Sequence, residues 1–362
     1  MAFDNELVTL LGELADAFGP SGFEDDVLAV IRRHAEDLGE IREDKLRNLY
    51  IYRKENTGGK PVMMLDAHSD EVGMMVQMIK PNGTLRFLPL GGWNKPSLPG
   101  SRVLVRSRRG EYLPGVIAAK PVHFMSDAEQ KNTNFEIGDL CIDIGASSAE
   151  EAVNCFGAAI GEPVSPAPGF RFRGEAGLFF GKGFDCRIGC AALLETLRRL
   201  RGKELPFDIV GVFSSQEEVG DRGVQVSVET VKPDVAVCFE GCPADDTFTE
   251  GWASQTALHR GPMLRYMDRS VICSPRFMRY ALELAENASD PIPVQCAVRE
   301  GGGNNGAVIN LAAGGVPVIV AGVPVRYIHS PNCIAAYEDL ENTVRLAVRI
   351  AESMTKEILA SF

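Results

Sequence analysis

Short apolar runs separated by helical periodicity constrain this chain more than any other feature. PVMML, DIVGVF, PDVAVCF and VPVIVAG read as buried strands, and CRIGCAALLETLRRLRGK, SPRFMRYALELAENAS and a closing stretch from about Leu340 to Ala360 read as helices. Strands and helices in alternation call for an α/β sheet covered on both faces. Residues 5–18 and 23–38 also read as helices, separated by GPSGFE, where Ser21 followed by Glu24 fits a capping box opening the second helix.

After Asp70 the pattern changes. MMVQMI, PNG and TLRFLPL make a hairpin around Asn82-Gly83, RVLVRS, RRG and EYLPGVIAA make another, and LCIDIG is a further short strand. The stretch ends near the Pro-rich GEPVSPAPGFRFRG. At 362 residues the chain is long enough for two domains. The organisation expected is one α/β domain, residues 1–70 plus 168–362, interrupted by a β-rich domain at 71–167.

Polar residues collect just past the apolar strands. PVMML leads to Asp66, His68 and Asp70, DIVGVF leads through SSQ to Glu217 and Glu218, VAVCF leads to Glu240, and VPVRYI leads to His329. Asp185 follows GLFFGKGF at the head of a strong helix. Sites in open α/β sheets form beyond the carboxyl ends of the strands. Each residue has an ordinary explanation: Asp185 as an N-cap, Glu217-Glu218 as a solvated turn, Glu240 as a loop cap, His329 as a satisfied strand-end histidine. Histidines and carboxylates delivered by separate segments to one edge are also what a pair of divalent cations requires, and this donor set suits zinc, cobalt or manganese.

AHSDEVG, GKGFDCRIGCAAL, SSQEEVGDRG, PDVAVCFEG and VPVRYIHSP, in this order, resemble the di-metal aminopeptidases of the M42 peptidase family, the glutamyl-aminopeptidase and tetrahedral-aminopeptidase group, some of whose members carry the label cellulase M. The resemblance implies a mixed-sheet di-zinc peptidase domain covered by helices, with an inserted small β-barrel-like domain. It implies that Asp185 bridges two metals, with His68 and Glu240 completing one site and Glu218 and His329 the other. Glu217 would be the general base, and Asp70 would orient His68. Short peptides would be the substrates, and self-association through the β insertion as dimers, up to a tetrahedral dodecamer, would follow. Two departures from the usual pattern stand out. Glu240 replaces the common Asp, and GGGNNGA replaces GGTDA, so that Asn304 and Asn305 stand for Thr and Asp and bear on substrate preference.

Composition excludes more than it identifies. A net charge of −12 without a basic run makes nucleic acid and anionic membrane poor partners. The acidic N-terminal stretch is no secretory signal, no apolar run approaches a membrane span, and the nine cysteines form no CxxC pair, so reduced thiols in the cytoplasm are expected. A glycosidase needs paired carboxylates and a cleft usually rich in aromatics, and two tryptophans fit that poorly. A non-catalytic homologue is the remaining alternative, although every ligand position and the base keep competent side chains. Arg326 or Arg187 could supply a basic group to a pocket for acidic residues, and His123 in the insertion could reach a site after assembly.

Overall fold

In the computed structural model, which describes residues 3–127 and 135–362, the apolar runs lie side by side in one large mixed sheet. Its centre is four parallel strands in the spatial order Asp208–Ser214, Val62–His68, Val235–Pro243 and Val318–Arg326. Burial of nearly every residue along them explains why their sequences do not alternate. Antiparallel strands flank this centre: Leu49–Arg53 and Gly39–Glu43 on one side, Cys333–Ala336, Leu178–Gly181 and Arg171–Arg173 on the other. Ser214 pairs with His68 in register, so the carboxyl ends of the two strands finish level.

Helix Phe184–Leu200 packs on Val235–Pro243 and is itself covered by helices Asn5–Asp16 and Tyr337–Ser353. Its Ile188, Leu193, Leu194 and Leu197 join Val237, Phe239 and Val320 in the main core. Each such side chain removed from water contributes about 1.5–3 kcal/mol. The helix reaches the strand closely because Gly241 has no side chain: a Cβ there would lie 2.6 Å from the Phe184 carbonyl oxygen. That approach sets Asp185 beside Glu240.

The chain leaves the sheet after His68 and re-enters it at Arg171. Between these points, strands Gly73–Ile79, Leu85–Leu90, Arg102–Arg106, Tyr112–Ile117, Ile142–Asp143 and Pro163–Pro166 close into a barrel with its own core of Val76, Phe87, Val105, Ile117 and Ile142. Both hairpins form where their turn residues place them, and Gly83 takes the left-handed φ of 87° that its turn needs. Closure removes the exposed strand edges that an isolated meander would present.

LCIDIG contributes a short strand as expected, two residues long. Two local expectations fail. The closing stretch is two helices, Tyr337–Ser353 and Lys356–Ala360, because the Thr355 side chain accepts from Ile358 N and starts the helix anew. The capping box at Ser21 and Glu24 does not form: Glu24 is the N-cap residue of helix Asp25–Ala35 but makes no side-chain bond to it, and Ser21 turns to Asp70 instead. Among the described residues, no helix is long and apolar enough to cross a membrane.

Candidate metal centre

The residues singled out at the strand ends converge on one edge of the sheet. Asp185 stands between the two histidines, its Oδ1 3.1 Å from His68 Nε2 and its Oδ2 3.1 Å from His329 Nε2. Gly183 occupies the N-cap of its helix and both Asp185 oxygens turn to the histidines, so Asp185 is not the cap. Glu240 Oε2 lies 3.6 Å and Glu217 Oε2 3.9 Å from His68 Nε2, while Glu218 Oε2 lies 3.5 Å from His329 Nε2. Ligand atoms of His68, Asp185, Cys186 and Glu240 all fall within 4.8 Å of one another, and so do those of Asp185, Glu218 and His329. The Cys186 thiol donates to the Phe239 carbonyl at 3.3 Å and is thereby satisfied.

Asp70 organises the other side of His68. Its Oδ1 is 3.3 Å from His68 Nδ1 and accepts Glu217 N at 3.0 Å, and its Oδ2 accepts Glu218 N at 3.2 Å and Ser21 Oγ at 2.5 Å. One buried carboxylate therefore faces the imidazole and holds the loop carrying the paired glutamates. Gln216 and His329 have left-handed φ of 55° and 57°, which non-glycine residues adopt only where their surroundings fix them.

The charge is lopsided. Burial, reinforced by the neighbouring carboxylates, pushes Glu217 and Glu218 well above the ordinary carboxylate range, and burial raises Glu240. Burial opposes ionisation of Asp185 too, but the two histidines hold it well below its usual value. Burial pushes the His68 imidazole down, yet the charge of Glu217 and the groups around it keep it well above the ordinary histidine value. Acids crowded towards protonation lack positive charge, and two divalent cations would supply it. Imidazole nitrogens and carboxylate oxygens are a donor set for zinc, cobalt or manganese, so the residues fit.

A cavity of about 510 Å³ opens over this cluster. Glu217, Glu240, Asp221, Arg265 and Arg299 line it, with the Gly301–Gly303 loop. A larger cavity of about 580 Å³ between barrel and sheet contains none of the clustered acids or histidines. Sequence reasoning missed Asp221, Arg265 and Arg299. Arg326, which makes a two-pronged pair with Asp246, and Arg187, which is fully buried and donates to the carbonyls of Leu14 and Gly19, do not line the cavity. His123 is exposed on the barrel segment and does not line the cavity. Asn304 and Asn305 are fully buried beneath it. Asn304 donates to Asp268, which pairs with Arg265 at 2.8 Å, so this loop reaches the cavity through an arginine.

The chain matches the family model described as M42 glutamyl aminopeptidase over residues 48–346. It is 33% identical to the glutamyl aminopeptidase of Lactococcus lactis subsp. cremoris, over 98% of each chain. It is 30% identical to the lysyl aminopeptidase of Pyrococcus furiosus, over 95% of this chain and 96% of that one. Among solved structures, a TET aminopeptidase from the marine sediment archaeon Thaumarchaeota archaeon SCGC AB-539-E09 superposes with a TM-score of 0.91 at 34% identity, covering 98% of this chain and 99% of that one. The TET1 peptidase of Pyrococcus horikoshii, described as assembling into a tetrahedron or a large octahedral shell, gives 0.85 at 28% identity, with 96% and 100% covered.

Proposed function

The chain belongs to the M42 glutamyl aminopeptidase family, and from that premise we propose that it removes N-terminal residues from short peptides in the cytoplasm, using two divalent cations and a glutamate base. Asp185 would hold both ions, His68 and Glu240 one of them, and Glu218 and His329 the other. Bound there, the ions would supply Lewis acidity towards the scissile carbonyl and lower the pKa of an attacking water from about 15.7 towards 7.

The chain's own groups divide the remaining work. Glu217 faces the cavity and takes the proton of the attacking water, then returns it to the leaving amine. Glu218 lines the cavity too, but its Oε2 lies 3.5 Å from His329 Nε2 whereas Glu217 Oε2 lies 3.9 Å from His68 Nε2, which supports different roles for the two adjacent glutamates. Asp70 fixes the imidazole of His68 and the backbone of both glutamates. Asp221, whose buried Oδ1 has no hydrogen-bond partner, lines the same cavity and offers negative charge to a substrate's α-ammonium. Arg265 and Arg299 offer the opposite charge further along the wall, and the Nε of Arg265 is buried without a partner. This supports a preference for acidic N-terminal side chains. Residues 71–167 would form an inserted assembly domain that pairs subunits into dimers and builds a tetrahedral dodecamer.

The observation that carries this proposal is the placement of the two oxygens of one carboxylate, Asp185, each 3.1 Å from a different histidine. The test is hydrolysis of a panel of aminoacyl amides and short peptides by chelated protein reloaded with zinc, cobalt or manganese. Activity should vanish on chelation and return with metal. Peptide hydrolysis that survives metal removal would overturn the two-cation reading, and inertness of the reloaded protein would favour a non-catalytic homologue.

A further inference from the structure

The GPSGFE loop opens no capping box, yet Ser21 is only 5% exposed and Glu24 is fully buried. The loop is stitched to the segment following His68. Glu71 N donates to the Gly19 carbonyl at 3.1 Å, and Ser21 Oγ donates to Asp70 Oδ2 at 2.5 Å. Glu24 Oε1 accepts two backbone N–H groups, from Gly22 at 2.8 Å and from Gln216 at 3.2 Å. Gln216 is the left-handed residue immediately before Glu217. Glu24 Oε2 is buried and has no partner. A glutamate that leaves its own helix uncapped, with one oxygen idle, acts through what the other oxygen holds.

We propose that Ser21 and Glu24 are positioning residues for Glu217, a role that rests on Glu217 being the general base. Ser21 fixes the Asp70 carboxylate that receives the N–H groups of Glu217 and Glu218. Glu24 fixes the backbone turn that enters them. Neither residue lines the cavity or touches a metal-ligand side chain. The glutamate base is therefore held from two sides by one N-terminal loop, and a carboxamide at position 24 suffices, because only an acceptor oxygen is used.

Metal-loaded Ser21→Ala, Glu24→Ala, Glu24→Gln and Glu217→Gln proteins test this by steady-state kinetics, with metal content measured on each. Groups bonded directly to metal ligands typically matter by about 10- to 100-fold, and the same scale is expected for residues that hold the base. The expected result is a loss of that size in kcat for Ser21→Ala and Glu24→Ala, with KM little changed and two ions retained, and near-normal kcat for Glu24→Gln. Ser21→Ala removes a single oxygen and reports the same effect should Glu24→Ala fail to fold. Wild-type kcat in the Ser21 and Glu24 variants beside an inactive Glu217→Gln would overturn the positioning role alone. A Glu24→Gln protein as impaired as Glu24→Ala would overturn it too. Turnover by Glu217→Gln would overturn the base assignment and the positioning role together.

Discussion

Asn305 donates its Nδ2 to Asp66 Oδ2 at 2.7 Å, and neither residue is reached by solvent. The other Asp66 oxygen accepts from Ser214 Oγ, and the Cys238 thiol lies 3.9 Å from Oδ2, so the buried carboxylate depends on neutral donors alone. An aspartate at position 305 would set a second carboxylate against the first. Asn305→Asp should cost about 1–3 kcal/mol or more, the range for leaving a buried acceptor unsatisfied, with charged groups at the upper end. Urea denaturation at pH 8 would measure it.

Glu217→Gln should keep both ions and lose turnover. General acid–base catalysis typically contributes about 10²- to 10⁴-fold, and the loss in kcat should fall in or above that range. Elemental analysis alongside kinetics separates a lost base from a lost metal.

Arg299 pairs with Asp245 at 2.8 Å and keeps about a quarter of its side chain exposed at the cavity wall. Hydrogen bonds to charged groups contribute about 1.5–3 kcal/mol, which corresponds to roughly 10- to 100-fold in kcat/KM. Arg299→Ala should lower kcat/KM for glutamyl substrates by that factor and leave leucyl substrates nearly unchanged. Wild-type protein that cleaves lysyl at least as well as glutamyl substrates would refute the acidic preference.

Burial, with the Asp70 charge behind it, pushes the Glu24 carboxyl from 4.5 up to about 7. A pKa raised by folding contributes stability that is complete below about 4.5 and is lost as pH rises through about 7. That difference corresponds to on the order of 3 kcal/mol. Melting temperatures recorded from pH 5 to pH 8 should therefore fall more steeply for the wild type than for Glu24→Gln. Parallel profiles would contradict the placement of this carboxyl.

The strand-end residues were legible because each follows an uninterrupted apolar run, and parallel strands end on a common edge whatever lies between them. His68, Glu240 and His329 were found that way. Ser21 and Glu24 were misread because the spacing of a capping box is local, whereas their partners, Asp70 and Gln216, are 49 and 192 residues away. Arg265 and Arg299 carried no signal at all. Arg265 sits in a short strand, Met263–Met267, and its place in the cavity wall depends on tertiary packing, with Asp268 just past the strand and Asn304 from the glycine loop ordering it. Asn305 read as a loop residue near the site, and nothing in its neighbours announced a buried carboxylate 239 residues before it.

Anomalous scattering from crystals grown with zinc tests the central claim most directly. Two peaks about 3.5–4 Å apart are predicted on either side of the Asp185 carboxylate, one touching His68 and Glu240 and the other touching Glu218 and His329. A single peak, or peaks that leave Asp185 uncoordinated, would contradict it.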